Sequence, residues 1–456
     1  MKVHFIAIGG SAMHNLAIDL HNMGIEVTGS DDEIFEPSKT RLEAKGLLPD
    51  RVGWNPDSIT KDLDAIILGM HARADNPELM KALELGIKVY SYPEYIYEQS
   101  KAKKRIVIGG SHGKTTITAM IMHVYKKLGM DFDYMVGAQL EGFETMVKIT
   151  ANAPIILLEG DEYLASPLDR RPKFHLYHAN IALISGIAWD HINVFPTFDN
   201  YLEQFRIFVN QLEDGSPLVY NETDREVKKI AENAANRLKL YPYSIPKHTI
   251  EAGITHIFHD SQKIPLVIFG EHNLMNLEGA KIICKLSGID EADFYAAIQS
   301  FKGAAKRLQL IGKNAETAVY KDFAHSPSKL KATTAAVKNQ YPDRTLVACM
   351  ELHTFSSLNK EFLKGYFGSM ELADEAIVYF NPHTIEHKKL APISVEEVME
   401  SFGGNNISVY TDAQILQHHL LNEDWKQKNL LLMSSGNFDG MNMEEFAAKI
   451  IASTVG

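Results

Sequence analysis

The sequence predicts an α/β protein of three domains built on parallel sheets, and three observations carry that expectation. One unit recurs along the chain: a short β-branched run, a polar or glycine turn, then apolar residues at helical spacing, the pattern of strands joined by crossover helices. Two of these units set glycines directly between strand and helix, at Gly9-Gly10 and at Gly110–Gly113. A polar, basic stretch, EQSKAKKR, follows Tyr97 and reads as a linker between the first block and the second.

The first block opens with a strand over Val3–Ile8, a turn at Gly9-Gly10-Ser11, and a helix over Ala12–Met23 that Gly24 ends. Ile25–Thr28 and Ala65–Leu68 are the next strands. The second block starts with a strand over Arg105–Ile108, the loop GGSHGKTT, and a helix with Ile117, Met120, Ile121 and Val124 on one face. Further strands fall at Ile155–Leu158 and Ile181–Ile184, and a stretch near Lys263–Phe269 leads into a helix beginning near Asn273. The third block has strands at Thr317–Tyr320, Thr345–Met350, Ala376–Phe380, Ile407–Tyr410 and Leu430–Met433.

Composition narrows the functional classes. A chain of 456 residues and 51.1 kDa is sized for two to four domains. With 45% hydrophobic and 23% charged residues it is ordinary globular material. A net charge of −12 argues against coating nucleic acid or an anionic membrane. Two cysteines, Cys284 and Cys349, make neither a disulfide framework nor a metal motif, which fits a cytoplasmic protein. Apolar runs such as residues 153–158 are far too short to span a membrane, and a start that runs straight into a strand implies no signal peptide.

The strongest motif is Gly110-Ser111-His112-Gly113-Lys114-Thr115-Thr116, between an apolar strand and a helix. Glycines let backbone N–H groups close around phosphate oxygens, and the helix start adds partial positive charge. Lys114 can neutralise β and γ phosphates, and the Thr115 hydroxyl can ligate Mg²⁺. The strict G-x-x-x-x-G-K-[ST] pattern is not met, because Ile108 stands at its first glycine. The N-terminal Gly9-Gly10-Ser11-Ala12 lacks the third glycine of a dinucleotide fingerprint. It suits a pyrophosphate, with Asp31 and Asp32 placed to accept from a ribose or base. It equally suits a tight turn with no ligand.

Five segments, in this order, resemble the Mur ligases of bacterial peptidoglycan synthesis: GGSHGKTT, LLEGDEY, WDHINVFP, GEHNLMN and KDFAHSP. Within that family the chain is similar to the branch acting on UDP-N-acetylmuramate. The stretches VTGSDDEIFEPSKTRLEAKG, LDRRPKFHLYHANIALISGIAWDHINVFP and MSSGNFDGM are more similar to members that take an L-Ala-γ-D-Glu-meso-diaminopimelate peptide than to those that take L-alanine. The resemblance implies a Rossmann-like UDP-N-acetylmuramate domain over residues 1–103, a P-loop ATPase-like domain over 104–313, and a Rossmann-like acceptor domain over 314–456. It implies ATP-dependent amide formation through an acyl phosphate, with ADP and phosphate released, ATP and two Mg²⁺ ions as cofactors, and a monomer or weak dimer.

Residue by residue, the resemblance assigns Gly110, Ser111, His112, Gly113, Lys114, Thr115 and Thr116 to the ATP phosphates, and Thr115, Glu159 and His191 to Mg²⁺. Glu159 alone reads as an ordinary strand-end acid, and a lone His191 as a structural histidine. Asn273 and Asn276, three apart, would serve adenine, Asn273 also being placed to cap a helix. Arg307 would reach phosphate, Asp322 the ribose, and His325 the reacting centre; Ser326 stands where relatives carry a second histidine. Gly9, Gly10, Ser11, Ala12, Met13, Ser30, Asp31 and His71 would bind the UDP substrate. Arg206 occupies the place of a carbamylated lysine in some members, which arginine cannot become.

The segment Glu351-Leu352-His353-Thr354-Phe355-Ser356-Ser357 lacks the arginines that the alanine-adding members carry after this strand, so free alanine would find no bidentate clamp. Arginine at Thr354 or Ser357 is expected to improve alanine use. Two other classes stay open on the sequence: a nucleotide-binding protein without ligase activity, and, on Gly9–Ala12 alone, a nicotinamide oxidoreductase.

Overall fold

The structure is a computed structural model that describes residues 1–189, 194–304, 307–403 and 406–453. It divides into two compact units, Met1–Ser244 with Met275–Ile298, and Ile245–Leu274 with Gln299–Gly456.

The first unit holds two sheets. The N-terminal sheet has four parallel strands in the order Glu26–Ser30, Lys2–Ile6, Ala65–Leu68, Val89–Ser91. The second has seven strands in the order Lys239–Tyr243, Pro217–Asn221, Ile181–Ile184, Lys104–Gly109, Ile155–Glu159, Asp133–Met135, Val147–Lys148. Only the short last strand runs antiparallel to its neighbour. Central strands such as IILLE are buried along their whole length, as parallel strands covered on both faces must be. The strand KLYPY carries no alternating signal, and its Pro242 is tolerated because it lies at the sheet edge.

EQSKAKKR is an ordered segment rather than a solvated tether. The helix Tyr92–Ser100 takes its first three residues and the strand Lys104–Gly109 its last two. Lys103 and Arg105 are buried, because Lys103 pairs with buried Asp133 and the Arg105 guanidinium donates to the carbonyls of Ser100, Lys101, Lys103 and His178.

The second unit contains an antiparallel three-stranded sheet, His248–Glu251, Ile254–His259 and Gln262–Leu266. Its larger sheet has six strands in the order Gln309–Lys313, Ala318–Asp322, Lys428–Met433, Thr345–Glu351, Glu375–Tyr379, Ile407–Tyr410. Alternate residues feed two cores: Leu346, Ala348 and Met350 pack on one face, Val347 and Cys349 on the other. The helix containing Asn273 begins earlier than expected, at Glu271. No helix among the described residues is long and apolar enough to cross a membrane.

Candidate active site

In the first unit the strand Lys104–Gly109 lies between Ile155–Glu159 and Ile181–Ile184. The chain reaches these neighbours on opposite sides, which makes the carboxyl end of the middle strand a topological switch point, where open α/β sheets bind ligands. The loop Gly110–Gly113 fills this position and opens the helix Lys114–Lys127. Gly110 (φ +127°) and Gly113 (φ +80°) adopt conformations that side chains resist; a Cβ would strike Ser185 at the first and the Asn276 amide at the second. Asn276 is thus held against the loop. No side chain caps the helix start, so no cap residue occupies the N–H groups of its first turn.

Three carboxylates from one segment converge on this loop. Thr115 Oγ1 donates to Glu159 Oε1 (2.9 Å), and Gly137 N–H donates to Glu159 Oε2 (2.7 Å). Lys114 Nζ donates to Gly110 O (2.5 Å) and pairs with Glu162 Oε2 (2.7 Å). Asp161 pairs with Lys173 (2.6 Å). Burial pushes the Glu159 carboxyl up, against the pull of the Gly137 N–H and of Lys114. Burial would also pull the Lys114 ammonium down, but Glu162, Asp161 and Glu159 outweigh it and the lysine stays charged. At Asp161 burial is overcome by Lys173 and Lys114, which hold it at about 2.

Thr115 and Glu159 set two hard oxygen donors side by side, a donor set that fits Mg²⁺ when phosphate oxygens complete its shell. No group of three His, Cys, Asp or Glu among the described residues is placed to hold a metal unaided. His191 lies outside the described residues. Arg206 is an exposed helix residue paired with Glu203 (3.0 Å).

The N-terminal loop is built differently. Gly9 N–H donates to Asp31 Oδ2 (2.7 Å), so Asp31 ties this turn to the neighbouring strand end. Gly10 precedes the helix Ser11–Asn22, in which Ser11 is exposed, Ala12 half-buried and Met13 buried. The Ser30 hydroxyl points inward to the fully buried Glu78, which also accepts from Asn55 N–H (2.5 Å). Burial alone would raise Glu78, but His4, Asn55 and Ser30 bring it below the usual range. The Ser30 proton is thus committed to Glu78, which helps hold the strand end in place. His71 is exposed at the end of the strand Ala65–Leu68, the same sheet edge as Gly9 and Asp31.

In the second unit Asp322 ends the strand Ala318–Asp322, and its carboxylate accepts from the N–H groups of Leu308 and Ala324 (2.6 Å for Ala324). Burial raises its pKa while Arg307 opposes the rise. Arg307 also lies over the Phe323 ring, 5.1 Å from its centroid. His325 Nδ1 is 2.9 Å from Phe323 O. Ser326 is the N-cap residue of the helix Pro327–Gln340 without making a side-chain cap bond. Asn273 is not a cap: its Nδ2 donates to Phe269 O (2.9 Å). Asn273, Arg307, Lys302, Phe269, Tyr320 and Tyr341 line a cavity of about 460 Å³.

The expected acceptor loop follows the strand Thr345–Glu351. Thr354 Oγ1 accepts from Ser357 N–H (3.0 Å) and donates to Ser357 Oγ (2.9 Å), closing a small turn. Ser357 is fully buried, so arginine has no room there, which corrects one of the two positions expected to accept it. Buried Glu351 accepts from Phe438 N–H (2.9 Å) and from the Ser434 hydroxyl, fastening MSSGNFDGM to the same strand end.

The chain matches the Mur ligase family's catalytic domain over residues 2–104, the Mur ligase middle domain over 108–284, and the glutamate ligase domain of Mur ligases over 306–436. A UDP-N-acetylmuramate–L-alanine ligase of Clostridium kluyveri is 31% identical over 81% of this chain and 82% of that protein. The chain belongs to the Mur ligase family. Two solved Mur ligases share its fold. UDP-N-acetylmuramate–alanine ligase from Thermotoga maritima has a TM-score of 0.71 at 18% identity, and the murein peptide ligase from Psychrobacter arcticus has 0.64 at 21%; each comparison covers 99% of both chains. Mur ligases are ATP-dependent enzymes that form amide bonds, with Mg²⁺ the usual partner of ATP, and this chain is one of them.

Sequence reasoning missed Glu162 and Tyr201, which meet the Gly110–Thr116 segment. Tyr201 OH donates to Glu162 (3.0 Å) and shares a hydrogen bond with Ser111 Oγ (2.8 Å). The adjacent Asp161-Glu162 in LLEGDEY was the available signal for the first.

Proposed function

We propose that this Mur ligase joins the lactyl carboxylate of UDP-N-acetylmuramate to the α-amine of an L-Ala-γ-D-Glu-meso-diaminopimelate peptide, releasing ADP and phosphate. The supporting observation is the turn at Thr354–Ser357, where two hydroxyls bind each other in a segment, Glu351–Ser357, that itself carries no arginine to clamp a free amino acid's carboxylate. In the tripeptide that carboxyl is already an amide, and the charges lie several bonds away.

The chemistry proceeds by attack of the sugar carboxylate on the γ-phosphorus, then attack of the amine on the acyl carbon with phosphate leaving. Lys114 would neutralise charge on the transferring phosphoryl group, and the glycine loop would orient it through backbone N–H groups. Mg²⁺, when bound, supplies further neutralisation of the polyphosphate; Thr115, Glu159 and His191 are the residues that would hold it. Asn273, Asn276, Arg307 and Asp322 are assigned to the nucleotide, and His325 to the reacting centre. Gly9, Gly10, Asp31 and His71 are assigned to the UDP substrate.

A second reading, L-alanine as acceptor, is favoured by relatives such as the L-alanine ligase of Sulfurihydrogenibium sp., 28% identical over 96% of this chain. Phosphate release with UDP-N-acetylmuramate, ATP and Mg²⁺ decides between them. The tripeptide is expected to give a kcat/KM about tenfold or more above that of L-alanine, since one lost charge-assisted hydrogen bond is worth roughly 1.5–3 kcal/mol. Equal or better use of alanine replaces the tripeptide reading with the alanine one. Thr354→Arg is expected to raise kcat/KM for alanine a few-fold, about 1 kcal/mol, its gain reduced by loss of the turn bond.

A further inference from the structure

Lys114, the residue assigned to the nucleotide's phosphates, has a buried carboxylate partner of its own. Its ammonium is 2.7 Å from Glu162 Oε2, and Glu162 is only 1% exposed. The other oxygen, Oε1, accepts from Tyr201 OH at 3.0 Å. That hydroxyl has one proton and spends it on the carboxylate, so at 2.8 Å Ser111 Oγ must be the donor to Tyr201. Ser111 Oγ in turn accepts from Ala188 N–H at 2.9 Å. A directed chain thus runs from Ala188 through Ser111 and Tyr201 to Glu162, each bond polarising the next, and ends on the ion pair with Lys114.

Ser111 and Lys114 belong to the phosphate loop itself, so the chain clamps both ends of the loop through one buried carboxylate. Glu159 is differently placed: its two oxygens go to Thr115 and Gly137. The segment therefore divides its labour, with Glu159 set on the threonine and Glu162 on the lysine.

We infer that Glu162 is a positioning residue that competes with the nucleotide's polyphosphate for Lys114. It holds the ammonium in place before ATP arrives and reclaims it as ADP leaves, which weakens product binding. This rests on the reading that the phosphate loop binds ATP. A polyphosphate that takes Lys114 must break a short, buried, charge-assisted contact, a cost that corresponds to about a tenfold loss of affinity.

The test is a double-mutant cycle on ADP affinity, measured by titration into the millimolar range in the presence of Mg²⁺, with wild type, Glu162→Gln, Lys114→Met and the double variant. Glu162→Gln is expected to tighten ADP about tenfold and to lower KM for ATP without raising kcat. In the Lys114→Met background the same substitution is expected to change ADP affinity less than about twofold. Simple repulsion between carboxylate and phosphate would tighten ADP equally in both backgrounds, and that result overturns the inference. So does unchanged or weaker ADP binding by Glu162→Gln. Should that variant not fold, Glu162→Asp keeps the charge but shortens the reach, and a tightening of about threefold is expected; none overturns the inference. Wild type that binds no nucleotide at all refutes the underlying reading instead, whereas normal ligation with a silent Glu162→Gln refutes only the competition.

Discussion

The turn after Lys2–Ile6 and the turn after Lys104–Gly109 occupy the same kind of position, each following an interior strand of a parallel sheet and opening a helix with no side-chain cap. Their chemistry is opposite. In the first, Asp31 takes a loop N–H and Gly10 N–H goes back to Ala7 O, so the turn is closed by its own partners. In the second, carboxylates take the side chains of Lys114 and Thr115 and leave the helix start to the loop. Two glycine turns in like positions thus differ in which of their groups neighbouring carboxylates engage: a backbone N–H in the first, side chains in the second. The glycines alone do not decide it.

The largest break in this comparison is Lys114→Ala. It is expected to lower kcat by about 10²–10³, the cost of losing one preorganised contact to developing charge. UDP-N-acetylmuramate binding, measured by calorimetry, is expected to stay within twofold; turnover at the wild-type rate would remove the phosphate-loop assignment. Next, Glu159→Gln keeps the shape but removes the charge, and the Mg²⁺ concentration for half-maximal turnover is expected to rise about tenfold to a hundredfold. An unaltered Mg²⁺ titration would separate Glu159 from the metal.

The two turns can be compared directly by Gly113→Ala and Gly9→Ala. At Gly113 the left-handed backbone and the Asn276 amide both oppose a Cβ, and a loss of about 1–3 kcal/mol in chemical denaturation is expected together with weakened ATP binding. At Gly9 φ lies outside the left-handed region and the nearest atoms are side chains, Asp31 Oδ2 at 2.9 Å and Ile34 at 3.0 Å, so the loss is expected to be smaller and to leave ATP binding intact.

The smallest effect concerns the helix that the first turn opens. Asp19, on the helix opened by the first turn, is buried and accepts from Ile149 N–H (2.8 Å). Burial, partly offset by that hydrogen bond, raises its pKa from 3.8 to about 7. The folded state therefore holds this proton more tightly than the unfolded chain. The resulting stabilisation is complete below about pH 4 and is lost as pH rises through 7. Asp19→Asn removes that dependence, so its stability relative to wild type should rise between about pH 4 and 7, by at most about 1.4 kcal/mol per unit of pKa difference. A parallel pH profile of the two proteins would place Asp19 outside this linkage.

Much of the architecture was legible locally. The strand at Ala65–Leu68, the strand at Ile181–Ile184 and the strand at Ile407–Tyr410 lie where apolar, β-branched runs put them. The strand–turn–helix arrangement around Gly110–Gly113 was legible because strand, glycines and helix are contiguous. The antiparallel sheet over residues 248–266 was not, since its strands, such as HTIE and QKIPL, are partly exposed and carry no clean alternation. EQSKAKKR misled because basic residues normally mark solvent, whereas Asp133 and a set of carbonyls compensate Lys103 and Arg105 inside.

The sequence by itself determined the family, the order of its motifs and the residue types at the phosphate loop, because each motif is a short contiguous segment whose backbone geometry is set by its own glycines and apolar spacing. Only the tertiary structure decided which carboxylate meets which partner. Lys114 pairs with Glu162, 48 residues away, and Ser30 with Glu78, also 48 away, while Asp31 closes Gly9 across 22. Those pairings follow from strand order in the sheets, and strand order is fixed by the burial of whole faces rather than by any local pattern.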